Sequence, residues 1–338
     1  MASNKSTRTH KKQLARRVVV LGTGGTIAGR AGGAADNIGY VAGEVGVADL
    51  LHGIEAPQGI VLVAEQVAQL DSKDMSHAVW RSLAQRCADW LADPSVAGIV
   101  VTHGTDTIEE TAYWLSCVLP AQRPVVLTCA MRPATALAPD GPQNLRDAIA
   151  VAATEGARGV CVVCAGTVHA ASDVQKVHTY RLDAFSSGEA GPLGFVEEGQ
   201  VRLTRSWPLT SFVVDAAALD AAAAWPRVEI VTSHAGASGA LIDALLRERA
   251  AAPKGAVDGL VLAATGNGTL QQDIERAAVQ AQAAGVAVLR ATRCAQGHIL
   301  ATPQARIPDA GALTPVKARI ALLLQLMRRG AGHASAPT

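Results

Sequence analysis

Two stretches of the chain set a threonine hydroxyl just beyond an apolar run. The first, Val18-Val19-Val20-Leu21-Gly22-Thr23-Gly24-Gly25-Thr26-Ile27-Ala28-Gly29, passes from a β-branched segment into a glycine-rich turn. Glycines bring backbone N–H groups close to a ligand because no Cβ obstructs the approach. Thr26 sits among them, and its hydroxyl becomes a nucleophile only when a neighbouring base takes its proton. Taken alone, a threonine in such a turn reads as structural. The second stretch, Gly98-Ile99-Val100-Val101-Thr102-His103-Gly104-Thr105-Asp106-Thr107, again ends a strand in polar groups. His103 near Asp106 suggests a hydrolase triad. No G-x-S-x-G elbow accompanies the pair, so His103 is read as a packing residue or one standing behind the site.

A nucleotide fits neither glycine run. The dinucleotide fingerprint G-x-G-x-x-G, counted from Gly22, needs glycine where Ile27 stands; counted from Gly24, it needs one where Thr26 stands. There is no G-K-[ST] for a phosphate loop. Cys161 and Cys164 form a C-x-x-C, yet they lie in the apolar run Val160-Cys161-Val162-Val163-Cys164-Ala165, and no second pair stands at zinc spacing. They are read as packing residues. No metal and no cofactor is expected.

Strands and helices must hold these groups in place. β-branched runs are expected to form strands at 17–21, 60–64, 98–102, 125–129, 159–165, 228–232, 259–264 and 286–291, alternating with helical patterns. That alternation specifies a mostly parallel sheet. Met75, Val79, Leu83, Cys87, Trp90 and Leu91 recur at spacings of three and four behind a polar start at Ser72 and Asp74, which predicts an amphipathic helix. Thr314-Pro315 opens a closing helix whose inner face carries Ile320, Leu323, Leu324 and Met327. Between 202 and 227 the alternation stops at Ser206-Trp207-Pro208, an alanine-rich stretch and Trp225-Pro226.

The expected fold class is α/β: a larger N-terminal domain with a mostly parallel sheet flanked by helices, and a smaller C-terminal parallel α/β domain. The boundaries read as a disordered basic tail over 1–16, an N-terminal domain over 17–205, a linker over 206–226, a C-terminal domain over 227–330 and a flexible tail over 331–338. Thr26, Thr105, Asp71-Ser72 and Ala130-Met131-Arg132 all follow predicted parallel strands. They should meet on the carboxyl edge of one sheet, where open α/β sheets bind ligands.

Composition narrows the partners. The 338 residues carry a formal net charge of +1, too weak a field to attract nucleic acid or a membrane surface. A small substrate fits better. With 49% hydrophobic and 17% charged residues the chain has ample core. Apolar runs are broken by glycine and charge before the roughly 18 residues a bilayer span requires. The basic residues Lys5, Arg8, Lys11, Lys12, Arg16 and Arg17 precede the first strand without a hydrophobic signal core. Six cysteines are too few for a disulfide scaffold in a chain of this length. A cytoplasmic protein is therefore expected.

Thr23-Gly24-Gly25-Thr26-Ile27-Ala28 and His103-Gly104-Thr105-Asp106-Thr107 resemble, in the right order, the two signature motifs of the bacterial-type asparaginase and glutaminase-asparaginase family. The likeness extends through Asp71-Ser72-Lys73-Asp74-Met75, Ala130-Met131-Arg132-Pro133, Asp140-Gly141-Pro142-Gln143-Asn144-Leu145, Asp173-Val174-Gln175-Lys176, Gly191-Pro192-Leu193-Gly194, Gly266-Asn267-Gly268 and Pro315-Val316-Lys317-Ala318-Arg319, covering about residues 17 to 328. The resemblance implies an L-asparaginase that converts L-asparagine to L-aspartate and ammonia. It makes Thr26 the attacking residue and Tyr40 its activating partner. Thr105, Asp106 and Lys176 form a second trio, Ser72 and Asp106 hold the substrate's α-carboxylate and α-amino ends, and the carbonyl of Ala130 contacts water or the amide. It further implies a homodimer or homotetramer in which Asn267 and Thr269 reach the site across an interface. Residue types alone leave open which threonine opens the reaction.

The sequence departs from the pattern at three places. Lys73 stands where several relatives have glutamine, and Thr269 where some have asparagine. The segment 291–313 contains no glutamate, which many relatives direct at the substrate's α-amino group. Weak glutaminase activity is expected from that loss. Two other readings compete. An ammonia-supplying subunit for tRNA-dependent amidation normally carries an additional N-terminal domain, whereas about 16 residues precede the first strand here. A non-catalytic amino-acid sensor would lose the nucleophile, yet Thr26, Tyr40, Thr105 and Lys176 are all present.

Overall fold

β-branched residues crowd the first strand, β1 (Arg16–Gly24). Val18 and Val20 pack into one core, Val19 and Leu21 into another, and all four are fully buried. A strand covered on both faces belongs inside a parallel sheet with helices above and below. A computed structural model describes residues 15–208, 214–219 and 225–334 of the protein and gives that arrangement. Most of the expected basic tail lies outside the described residues, as does 335–338.

The short helix α1 (Val47–Leu50) leads into β2 (Ile60–Leu70), which pairs parallel to β1 on one side. β3 (Val96–Thr102) pairs parallel on the other side, and β4 (Val125–Thr128) and β5 (Val160–Cys164) continue the run. The sheet then turns antiparallel through β6 (Thr167–Ala170), β9 (Gly194–Glu197) and β10 (Gln200–Leu203). Between β6 and β9, a separate ribbon joins β7 (Gln175–Lys176) to β8 (Phe185–Ser186). The order in the large sheet is β10-β9-β6-β5-β4-β3-β1-β2. All eight strands expected from the sequence form. The strands β6 to β10 were not foreseen, since runs of two to four residues are too short to establish a period.

Helices α2 (His77–Ala92) and α3 (Ile108–Val118) cover one face through Leu83, Cys87 and Leu115. Helix α4 (Gly141–Ala153) covers the other through Leu145, Ile149 and Ala152. The expected start of α2 at Ser72 and Asp74 is corrected. Those residues form a separate 3-10 turn, because the Asp71 side chain caps the Lys73 N–H and Met75 then becomes extended; Ser76 caps α2 itself.

The smaller sheet is parallel, in the order β11 (Arg227–Thr232), β12 (Val257–Ala264) and β13 (Ala287–Thr292). Helices α5 (Ala240–Ala251) and α6 (Gln272–Ala283) pack on one face. The closing helix α7 (Pro315–Ala334) runs four residues past the expected end at 330 and lies on the other face. Ile320, Leu323 and Leu324 of α7 share a core with Ile108 and Leu115 of α3, so α7 joins the two domains. The described part of 206–226 is packed rather than free. Ala216 and Leu219 are buried, and the Trp225 ring stacks on His77 with centroids 4.3 Å apart.

Candidate active site

β1 and β3 are neighbours, so the turns that leave their carboxyl ends must lie side by side. The Thr23 hydroxyl donates to the Thr102 carbonyl at 2.8 Å and ties the two ends together. Gly25 has φ 82° and ψ −174°, a conformation open to glycine alone. A Cβ there would lie 2.3 Å from both N and Cα of Gly104. A Cβ on Gly104 would in turn lie 2.5 Å from the Ser72 hydroxyl. Two glycines thus let the first two turns meet backbone to backbone and bring the Ser72 side chain against them, and the residues that follow the glycines, Thr26 and Thr105, keep the same slight exposure of 6%.

Each threonine has its own partner. Thr26 Oγ1 is 2.6 Å from the Tyr40 hydroxyl. Tyr40 comes from the loop beyond the glycine turn, which paired backbone hydrogen bonds between Arg30 and Val41 close at its base. Its ring lies against Gly29, where a Cβ would meet the ring 2.8 Å away. The Lys176 ammonium, carried by β7, donates to Thr105 Oγ1 at 2.8 Å and to Asp106 Oδ1 at 2.6 Å. Lys176 is the more enclosed side of that ion pair, 17% exposed against 55% for Asp106. The ammonium holds the Thr105 oxygen by donation.

Ser72 is buried, and its hydroxyl accepts the Asp106 N–H at 3.2 Å. The Lys73 ammonium turns away into exposed pairs with Asp71 and Asp74, each 2.9 Å, which hold it in the charged form. Ala130 follows β4 and packs on Ile27 and Ala28 of the glycine turn. The Asp140 carboxylate takes the Met131 and Arg132 N–H groups at 2.9 and 3.0 Å, and Asn144 donates to the Cys129 carbonyl at 2.9 Å. Beside these groups a cavity of about 400 Å³ opens between Asp106, Lys176, Val177, His178 and Thr179. The last three gave no signal in sequence.

His103 stands behind the turn. It is fully buried, its Nδ1 faces the Gly104 carbonyl at 2.8 Å, and its Nε2 lies 2.9 Å from the Thr111 hydroxyl. A carbonyl accepts only, so Nδ1 carries the proton. Thr111 accepts from the Trp80 indole and is left to donate to Nε2. Both ring nitrogens are used, and burial pulls His103 down to about 4. It positions the turn and is not a base.

Asn267 and Thr269 are not brought to this cluster. They lie in the loop after β12, where Asn267 exchanges hydrogen bonds with the Leu300 backbone at 3.1 and 2.7 Å and Thr269 pairs with Thr265 at 2.9 Å. Among the described residues no helix is long and apolar enough to cross a membrane, and no group of three or more His, Cys, Asp or Glu is arranged to hold a metal.

Two family profiles match the sequence: "Asparaginase, N-terminal" over residues 17–209 and "Glutaminase/Asparaginase C-terminal domain" over 227–334. The chain is similar to a protein of Escherichia coli named L-asparaginase 2, with 36% identity over 324 residues, 91% of this chain and 88% of that one. It is 34% identical over 323 residues to a probable periplasmic L-asparaginase of Haemophilus influenzae, covering 91% and 88% of the two. The fold matches a crystal structure described as a probable cytoplasmic L-asparaginase from Campylobacter jejuni, with TM-score 0.84 and 32% identity over 93% of this chain and 95% of that one.

Proposed function

The chain belongs to the asparaginase family, and from that footing we propose that it hydrolyses L-asparagine to L-aspartate and ammonia with Thr26 as nucleophile. One observation carries the reading: two threonine hydroxyls on abutting turns each have a separate hydrogen-bond partner, Tyr40 for Thr26 and Lys176 for Thr105.

In this proposal Thr26 Oγ1 attacks the side-chain carboxamide carbon and its proton passes to the Tyr40 hydroxyl, which gives up its own proton toward the carboxamide nitrogen. The carbonyl oxygen becomes an oxyanion facing backbone N–H groups of the glycine turn. The C–N bond breaks as nitrogen takes a proton and leaves as ammonia, and the acyl group remains as an ester on Thr26. Water then attacks the ester beside Thr105 and Lys176, its proton returns to Thr26 Oγ1 as the ester C–O bond breaks, and aspartate departs. Ser72 would hold the α-carboxylate, Asp106 the α-ammonium, and the Ala130 carbonyl the leaving amide or water.

Self-association would bring Asn267 and Thr269 to the site of a second copy. Asn267, bonded to the Leu300 backbone, and Thr269, bonded to Thr265, are both exposed, as that role needs. Glutamine hydrolysis should be weak, because 291–313 offers no carboxylate from a glutamate to a longer substrate's α-amino group. A cytoplasmic site of action is supported by the name of the Campylobacter jejuni neighbour, and it stands against that of the Haemophilus influenzae relative. The test of function is ammonia release from asparagine by the purified protein and by Thr26→Ala. The proposal expects turnover in the first and its loss in the second; a Thr26→Ala protein with full turnover would refute the assigned nucleophile.

A further inference from the structure

Two ionisable groups near Lys176, Lys317 buried and Glu109 half-buried, have no place in the reaction just described. Lys317, in the first turn of α7, is 1% exposed, and its ammonium donates to the carbonyls of Ser172 and Val174. Those residues lead straight into β7. Glu109, in the first turn of α3, lies at the backbone N–H of Lys176, and its Oε2 is buried without a hydrogen-bond partner. The charged groups near Glu109 are Lys317, Lys176 and Glu110, and those near Lys317 are Glu109 and Asp173. Asp173 is itself occupied by Arg205 at 2.6 Å and by the Ser172 hydroxyl at 2.6 Å. Glu109 is therefore the carboxylate left to balance Lys317.

Opposite charges taken out of water in this way are a poor source of stability, since desolvation consumes what attraction returns. Its effect is geometric. The strand carrying Lys176 is held from below by an anion on the backbone of that residue, and from its amino-terminal side by a cation on the two carbonyls that precede it. One clamp stands on the segment that bears Thr105 and Asp106, and the other reaches in from the C-terminal domain.

We propose that Glu109 and Lys317 are a positioning pair, spanning both domains, that fixes Lys176 opposite Thr105 and makes the closing helix part of the site. Burial holds Glu109 up at about 7 and Lys317 down at about 8, and the attraction between the two works against both shifts. The proposal rests on the catalytic reading of Lys176, and the test separates the two.

Lys317→Met and Glu109→Gln are made in the full-length protein and in a Lys176→Met background, with turnover measured on asparagine and on its activated hydroxamate. Folding is checked by circular dichroism. In the wild-type background kcat should fall tenfold or more for Lys317→Met and at least threefold for Glu109→Gln, which keeps the shape and an acceptor oxygen. In the Lys176→Met background the same substitutions should change residual turnover less than twofold, because the residue through which they act is gone. Equal losses in both backgrounds would mean general structural damage and overturn the proposal, as would unaltered kcat in both single variants. If Lys317→Met fails to fold, the isosteric Glu109→Gln decides alone. A wild-type protein without activity on asparagine would instead remove the functional reading.

Discussion

Gly25→Ala tests whether the two threonine turns work as one unit. The added methyl would sit 2.3 Å from the backbone of Gly104, where ordinary contact begins at about 3.4 Å, so the turns must separate by about 1 Å. Backbone atoms cannot rotate away as a side-chain end can. A 1 Å misplacement of catalytic groups costs about 100-fold in rate, equivalent to about 2.7 kcal/mol of barrier. Alanine at φ 82° adds backbone strain of about 1–3 kcal/mol to folding. Gly46→Ala is the control, since Gly46 has φ −67° and its Cβ would meet only Asp49 Oδ2 at 3.6 Å. The assay is coupled ammonia release, alongside urea unfolding to count folded protein. Gly25→Ala should retain about 1% of kcat among molecules that are still folded, and Gly46→Ala most of it. Wild-type turnover in Gly25→Ala would show that the abutment of these turns does not matter to the chemistry.

Tyr40→Phe removes the 2.6 Å partner of Thr26 and should lower kcat by about 10²–10⁴ with little change in fold, the range expected for loss of a proton-transfer group; steady-state kinetics and a thermal melt read both. His103 and His169 are held neutral by burial, at about 4 instead of 6.5. Between those values the unfolded chain binds protons that the folded chain refuses. Their contribution is therefore complete above pH 6.5 and is lost as pH falls toward 4, by up to about 3 kcal/mol each. Glu109, raised to about 7, has the opposite slope, so the informative comparison is between wild type and His103→Gln. Urea midpoints should drop less from pH 7 to pH 5 in the variant, and parallel drops would contradict the argument. On substrate choice, kcat/KM for asparagine should exceed that for glutamine by tenfold or more, whereas equal values would show that the missing glutamate in 291–313 has no bearing on length discrimination.

Much of the architecture was legible in sequence because it rests on period and punctuation. Long β-branched runs such as Val18–Leu21 and Ile99–Val101 left no helical alternative once glycine ended them. The turns at Gly24-Gly25 and Gly104 could be placed on one sheet edge by the parallel rule alone. Other features came from the third dimension. The 3-10 turn at Ser72–Asp74 depends on Asp71 capping Lys73, and the spacing of Met75, Val79 and Leu83 did not reveal it. The packing of Ala216, Leu219 and Trp225 on α2 and α3 was hidden by an alanine-rich composition that reads as a connector. Lys317 stood inside a motif quoted for its likeness, but only the fold brings it 2.9 Å from the Ser172 carbonyl. His103 shows the reverse case. Its neighbours in sequence suggested acid–base work, while Thr111 and Trp80, distant or unremarked in sequence, fix its proton.

A crystal structure with aspartate bound addresses the central claim most directly. The account predicts the side-chain carboxylate of aspartate between the hydroxyl oxygens of Thr26 and Thr105, its α-carboxylate at Ser72 and its α-ammonium at Asp106. Aspartate bound elsewhere, or with its side chain turned away from either threonine, would contradict it.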